Sequence, residues 1–140
     1  MAAPSGKPAY VVVEHTADIA LRVHGSSLEE LFANAATGMF AQMMAHDGVP
    51  ETVRRDVQVE GSDPESLLVA WLSELLYLRE IHGEAYIRFE VRFPSPGKLE
   101  GVATGGLWRE FDRPVKAVTF HGLRIKSKRG AYEVTIVFDV

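Results

Sequence analysis

Residues 10–24 decide the fold, because two apolar, strand-like runs are separated there by a polar stretch. They read Tyr10-Val11-Val12-Val13-Glu14-His15-Thr16-Ala17-Asp18-Ile19-Ala20-Leu21-Arg22-Val23-His24. Side chains alternate between the two faces of a strand, so Ile19, Leu21 and Val23 belong to the core face and Asp18 to the opposite one. Polar groups held between rigid strands commonly serve binding. The stretch predicts strands over about 9–14 and 18–24, with a candidate site between them.

Length and composition favour one globular domain. The chain has 140 residues, of which 46% are hydrophobic and 24% charged, as in ordinary globular domains. We expect residues 1–8 to form a disordered leader and residues 9–140 a single folded domain. No apolar run approaches the roughly 20 residues that span a bilayer, and residues 1–8 lack the apolar segment of a signal peptide. A cytoplasmic protein without membrane contact is therefore expected.

Charge and cysteine content exclude several function classes. The chain has no cysteine, which rules out disulfides, thiolate catalysis and cysteine-ligated zinc. Its net charge of -4 argues against a protein that wraps nucleic acid unaided, so no direct nucleic-acid binding is expected. The one basic cluster, residues 126–129, precedes Gly130 and is typical of a solvated hairpin tip.

Local signals predict two helices and a run of strands. Ser27 and Glu30 form a capping box before a helix that ends near residue 45, while Asp63 and Pro64 begin a second helix that ends at Gly83. Alternation predicts strands over 53–61, 84–93, 115–121, 123–126 and 132–140, with Glu84 facing water. A weaker strand containing Leu99, Val102 and Leu107 is also expected, in a stretch that is partly loop up to Pro114. The expected fold is α+β, with two helices packed on one curved, mainly antiparallel sheet.

Carboxylates near strand ends are the remaining candidates for chemistry. Phosphate-binding glycine loops and the Gly-x-Ser-x-Gly elbow are absent from the sequence. Glu14, Asp18, Asp139 and the carboxylate of Val140 supply oxygen ligands, which suit a hard cation such as calcium or magnesium. The alternatives stay open: His15 as a turn residue bonded to backbone, Asp18 as a turn-forming residue, Asp139 as an exposed end residue.

Five blocks of the sequence resemble those of the archease family, small proteins that assist the GTP-dependent tRNA-splicing ligase of the RtcB type. The resemblance covers Val12 to Val140. The blocks are Glu14-His15-Thr16-Ala17-Asp18, Ser27-Leu28-Glu29-Glu30-Leu31-Phe32, Trp71-Leu72-Ser73-Glu74-Leu75-Leu76, Lys116-Ala117-Val118-Thr119-Phe120-His121-Gly122-Leu123 and Phe138-Asp139-Val140.

The resemblance implies a site, a cofactor and a partner. Asp18, Asp139 and Val140 would bind a divalent metal, calcium in crystals and magnesium or manganese as alternatives in the cell. Lys116 matches a lysine that the family needs, and His15 and Glu14 belong to the same polar motif. The fold implied is a two-layer α+β domain with a strand-helix-strand-strand module. The implied role is to promote guanylylation and multiple turnover of an RtcB-type RNA ligase, with GTP bound only through the ligase.

Two other function classes use the same carboxylates. A stand-alone metal-dependent phosphoester hydrolase would need a general base, for which His15 is the obvious candidate. A chaperone-like binding module would use the carboxylates only to join the chain ends, so their loss would affect stability alone.

Overall fold

A computed structural model describes residues 7–14, 18–45 and 47–140. The described part contains two helices and eight strands. In chain order they are β1 (Tyr10–Glu14), β2 (Asp18–Gly25), α1 (Leu28–Met43), β3 (Val53–Glu60), α2 (Pro64–His82), β4 (Glu84–Ser95), β5 (Lys98–Leu107), β6 (Ala117–Val118), β7 (Lys126–Lys128) and β8 (Ala131–Asp139).

The strands form two antiparallel sheets rather than one curved sheet. The first has five strands in the order β1-β2-β8-β6, with β7 also paired to β8, and the second has three in the order β3-β5-β4. The helices join the sheets: α1 packs on β2 and β4, and α2 packs on β3, β4, β5 and β6. The α+β class with two helices on antiparallel strands is confirmed.

Helix ends follow the local signals in the sequence. The backbone N–H of Glu30 donates to Ser27 Oγ at 3.0 Å, and Glu30 Oε1 accepts from the backbone N–H of Ser26 at 2.8 Å. Asp63 accepts from the backbone N–H of Ser66 at 2.7 Å. Gly83 ends α2 in a left-handed conformation with φ 64°, which glycine adopts without a Cβ penalty.

The core is formed by side chains from both helices and both sheets. Trp71 is fully buried and its Nε1 donates to the carbonyl of Phe32 at 3.0 Å, which ties α2 to α1. Phe40 packs edge-on against Tyr86 and stacks on Phe89. Neither helix of the described chain is long and apolar enough to cross a membrane.

Three local expectations were wrong. The strand predicted over 123–126 lies instead at Lys126–Lys128. The predicted strand over 115–121 is reduced to Ala117–Val118, because a turn follows in which the N–H of Leu123 donates to the carbonyl of Phe120 and Gly122 has φ 62°. Glu84 is 3% exposed rather than facing water, since Arg55 and Tyr86 bond to its carboxylate.

Candidate metal site at the ends of strands β2 and β8

The antiparallel pairing of β2 with β8 places Asp18 directly opposite Asp139. Opposed residues of an antiparallel pair project from the same face, with Cβ atoms about 4.5–5.5 Å apart. This face is the one that points away from the core, since Ile19, Leu21 and Phe138 on the other face are at most 2% exposed. The two carboxylates therefore emerge side by side where the first strand begins and the second ends.

Asp18 carries a polar atom without a partner. Its Oδ1 is buried and, among the described residues, receives no hydrogen bond. Almost all buried polar atoms in proteins are hydrogen-bonded, and an unpaired one costs about 1–3 kcal/mol, more when it is charged. A cation bound at this oxygen would remove that cost, so the donor set fits a metal ligand.

Strand β6 supports the site from the other side of β8. Ala117 lies opposite Asp139, and the backbone N–H of Lys116 donates to the Asp139 carbonyl at 2.7 Å. The backbone of Lys116 thus lies beside that of Asp139, and the Lys116 side chain is exposed. Val140 is half-buried and packs against the core, which anchors the main chain next to Asp139.

The described residues supply only part of a coordination shell. Among them, no group of three or more histidine, aspartate or glutamate side chains is placed to hold a metal ion. Calcium accepts six to eight oxygen ligands, including main-chain carbonyls and water. Asp18, Asp139 and a main-chain oxygen of Val140 would therefore leave several positions for ligands from outside the chain.

The same face continues from the carboxylates toward the opposite end of the sheet. Ala20 and Val137 form the next outward row, Arg22 and Thr135 the one after it, and His24 and Glu133 the third. His24 Nε2 lies 2.7 Å from Glu133 Oε1. Burial opposes ionisation of Glu133, but the hydrogen bond from His24 and the nearby positive charges lower its pKa on balance.

The sequence pattern did not predict that His24 pairs with Glu133. Each residue is one polar position in an alternating strand, and alternation shows which face a side chain takes but not which strand lies beside it. The register of β2 and β8 places the two residues opposite each other.

The protein-family comparison identifies the chain. Residues 10–140 match the model of the Archease protein family. The chain belongs to the archease family. It is 34% identical to the archease of Methanosarcina mazei over 145 aligned positions, which cover 98% of this chain and 99% of the relative. It is 39% identical to the archease of Pyrococcus furiosus over 120 positions, covering 81% and 84%.

Solved structures of other proteins have the same fold as this archease. The solution structure of protein 1598 of Methanobacterium thermoautotrophicum superposes with a TM-score of 0.80 at 31% identity, covering 94% of this chain and 99% of that one. A crystal structure of a Thermotoga maritima archease, described as a possible chaperone, has a TM-score of 0.63 at 22% identity and covers 96% of each chain. The second likeness concerns the fold alone.

The structure brings together most of the predicted site residues of this archease. Asp18, Asp139, Val140 and the backbone of Lys116 meet at one end of the five-stranded sheet. Glu14 ends β1 opposite Ile19. The prediction for His15 falls outside the described residues.

Proposed function

We propose that this archease is a protein activator, not itself an enzyme, that promotes guanylylation and multiple turnover of a GTP-dependent RNA ligase of the RtcB type. The observation that carries the proposal is the buried Asp18 Oδ1, which lies in the residue opposite Asp139 and has no hydrogen-bond partner among the described residues. Asp18, Asp139 and a main-chain oxygen of Val140 would hold a divalent cation there. The family resemblance supplies the partner and the reaction.

Each residue of the site then has a chemical task. A bound divalent cation would supply Lewis-acid stabilisation of negative charge on phosphate oxygens. Asp18 fixes the position because one of its oxygens is buried, whereas the exposed Asp139 leaves space for a second molecule to approach. The ammonium group of Lys116 would neutralise further phosphate charge. The incomplete coordination shell is what a shared site between two proteins requires.

Charge supports docking on an RNA enzyme. The chain has a net charge of -4, and charge complementarity accelerates the association of an acidic protein with a basic one. The site lies at strand ends on a solvent-facing sheet surface, with Asp139 and Lys116 both exposed. This position allows the carboxylates to enter a cleft of the partner without unfolding any element.

The proposal is tested by single-turnover guanylylation of a cognate ligase with labelled GTP. Wild type should accelerate the step, and Asp18→Asn and Asp139→Asn should each lose most of the acceleration while keeping the native circular dichroism spectrum. Lys116→Gln should reduce it less, because it removes charge but no metal ligand. Asp56→Asn, an exposed strand carboxylate on the other sheet, is the matched control and should behave as wild type.

Two outcomes would contradict the proposal. If folded Asp18→Asn activates as well as wild type, the carboxylate is not functional and only joins the strand ends. If wild type fails to act on a competent ligase, the activator role is wrong for this chain. Turnover of a phosphoester by the isolated protein would instead favour the hydrolase alternative.

A further inference from the structure

The outward face of the five-stranded sheet carries a basic groove at the end opposite to the carboxylates. The groove has a volume of about 680 Å³ and adjoins a second depression that reaches Arg22 and Val11. Besides Ala131 and Tyr132, the groove is lined by Lys7, His24, Lys126, Lys128, Arg129 and Glu133. Together with Arg22, five permanently cationic side chains surround one carboxylate, in a protein whose net charge is -4.

Strand register explains why the cations gather there. Strand β8 lies between β7 and β2. Lys126 is opposite Glu133 and Lys128 is opposite Ala131, while His24 of β2 is opposite Glu133. Both lysines therefore project from the same face as His24. Arg129 and Gly130 both have positive φ, 54° and 76°, as in the tight two-residue turn that matches the twist of a hairpin. This turn keeps the three basic residues beside the sheet.

The three cations of the β7–β8 hairpin have fewer counter-charges than the paired arginines of the three-stranded sheet. On the three-stranded sheet Arg55, Arg88 and Arg92 each pair with a glutamate. Within the described part of the chain, no carboxylate lies within ion-pairing distance of Lys126, Lys128 or Arg129. Lys7 pairs with Glu133, the one carboxylate of the groove, so the cluster keeps an excess of positive charge that an external anion would offset.

The floor of the groove is also incompletely satisfied. His24 is 9% exposed, and its Nε2 is used by Glu133. Its Nδ1 is buried and has no hydrogen-bond partner among the described residues. Cations from several strands lie above this buried histidine. The groove therefore differs from a surface on which lysines are merely scattered.

The geometry points to a groove that binds the phosphate backbone of an RNA strand. Large apolar side chains, which anchor most protein interfaces, are represented here by the half-buried Tyr132 of the groove and by Val11, 37% exposed, of the adjoining depression. Lysine and arginine contacts to successive phosphates need no such anchor and carry no sequence preference. The inference departs from the expectation drawn from net charge alone, because net charge does not report how charge is distributed.

The groove and the carboxylate site lie on the same face of β2. Arg22 and His24 follow Asp18 on the same face of β2, at about 13 and 20 Å for a rise of about 3.3 Å per residue. An RNA strand in the groove would therefore be held on the face that also presents Asp18 and Asp139. The inference does not rest on the ligase proposal, since RNA binding is measured on the isolated protein.

The test is fluorescence anisotropy with a labelled oligouridylate between about 50 and 200 mM KCl. Wild type should bind, with affinity falling as salt rises. Lys126→Gln/Lys128→Gln/Arg129→Gln should bind about tenfold more weakly or worse, and the slope of log K against log salt should become shallower by about 2, since each lost single-strand contact removes about 0.7. All three side chains are exposed, so folding should be retained.

A matched variant controls for total charge. Lys98→Gln/Arg109→Gln/Arg113→Gln changes net charge equally at exposed positions outside the groove, and should bind within about twofold of wild type. Equal losses in both variants, or no binding by wild type at low salt, would overturn the inference. If polyglutamate competes as effectively as RNA, the groove binds an acidic protein. If uridine monophosphate competes as effectively, the groove binds a free nucleotide. Either result would also overturn the inference.

Discussion

The carboxylates of Asp18 and Glu84 differ in their hydrogen-bond partners. The Glu84 carboxylate accepts hydrogen bonds from Arg55 Nε at 2.9 Å and from a second guanidinium nitrogen at 2.8 Å. It also accepts one from the Tyr86 hydroxyl at 2.7 Å. The hydrogen bond from Arg55 lowers the pKa of Glu84, and burial raises the pKa of Tyr86. Asp18 Oδ1 receives no comparable donor within the described chain, so it remains available to an external cation.

Replacing Glu84 should make stability less dependent on acid pH. The folded pKa of Glu84 is depressed, so its contribution is complete above the unfolded pKa, about 4.3, and disappears as pH falls through the folded pKa. Glu84→Gln should lower the free energy of unfolding by about 1.5–3 kcal/mol at neutral pH, and the difference should shrink at lower pH. Urea denaturation across this range measures both effects.

Glu90→Gln provides the comparison for Glu84, because Glu90 is exposed on the same strand. It should change stability little at any pH. A deficit of Glu84→Gln that stays constant down to about pH 3, below the ordinary range of a glutamate, would show that lost packing, not lost charge, destabilises the variant.

At the scale of single elements, β5 depends on the absence of side chains. A Cβ on Gly101 would lie 2.5 Å from the Trp71 ring, and one on Gly105 would lie 1.9 Å from the carbonyl oxygen of Ala85. The glycines that made this stretch resemble a loop are therefore the residues that let α2 and β4 approach it. Weak strand propensity was outweighed by tertiary packing.

Gly101→Ala should destabilise the protein. Trp71 is fully buried and cannot move aside freely, so overpacking should cost about 1–3 kcal/mol. Thermal and urea unfolding measure the loss. Thr104→Ala, on the half-buried opposite face of β5, should cost less; a Gly101→Ala variant as stable as wild type would contradict the close approach.

Local signals predicted local structure well. Ser27, Asp63 and Gly83 were identified because capping involves residues only three or four positions apart. Alternation also placed Ile19, Leu21 and Val23 on the core face. These features depend on short-range geometry that a sequence displays directly.

Long-range pairing was harder to predict. Nothing in the alternation near Glu84 reveals that Arg55 lies across the sheet, nor that a register shift interrupts β4 between Tyr86 and Arg88. The strand pattern likewise does not show that the strands divide into two sheets. The meeting of Asp18 with Asp139 was expected from the family resemblance, because strand periodicity specifies a face but not a neighbour.

At the scale of the whole molecule, one sheet face carries two opposite charge environments. Carboxylates lie at the end where β2 begins, and five cationic side chains lie toward the β7–β8 hairpin. The apolar row of Ala20 and Val137 separates them. This arrangement gives a protein of modest net charge a strongly polarised surface.

A divalent cation should stabilise the entire fold. A ligand that binds only the native state adds about 2.7 kcal/mol at a hundred times its Kd, and Asp18 and Asp139 come together only in that state. Calcium, magnesium or manganese should therefore raise the free energy of unfolding of wild type, measured by urea denaturation against a chelator control. Asp18→Asn should gain little, and Asp56→Asn should gain as wild type does. An equal gain by Asp18→Asn would place the cation elsewhere.

The pairing of β2 with β8 joins an early segment of the chain to a late one. A ribosome completes β2 and α1 well before it reaches residues 131–139, so the inner edge of β2 remains unpaired through most of translation. The five-stranded sheet closes only when that last strand arrives, and the same event brings Asp139 to Asp18. A chain that stops before β8 would therefore leave this edge of β2 unpaired and would not bring Asp139 to Asp18.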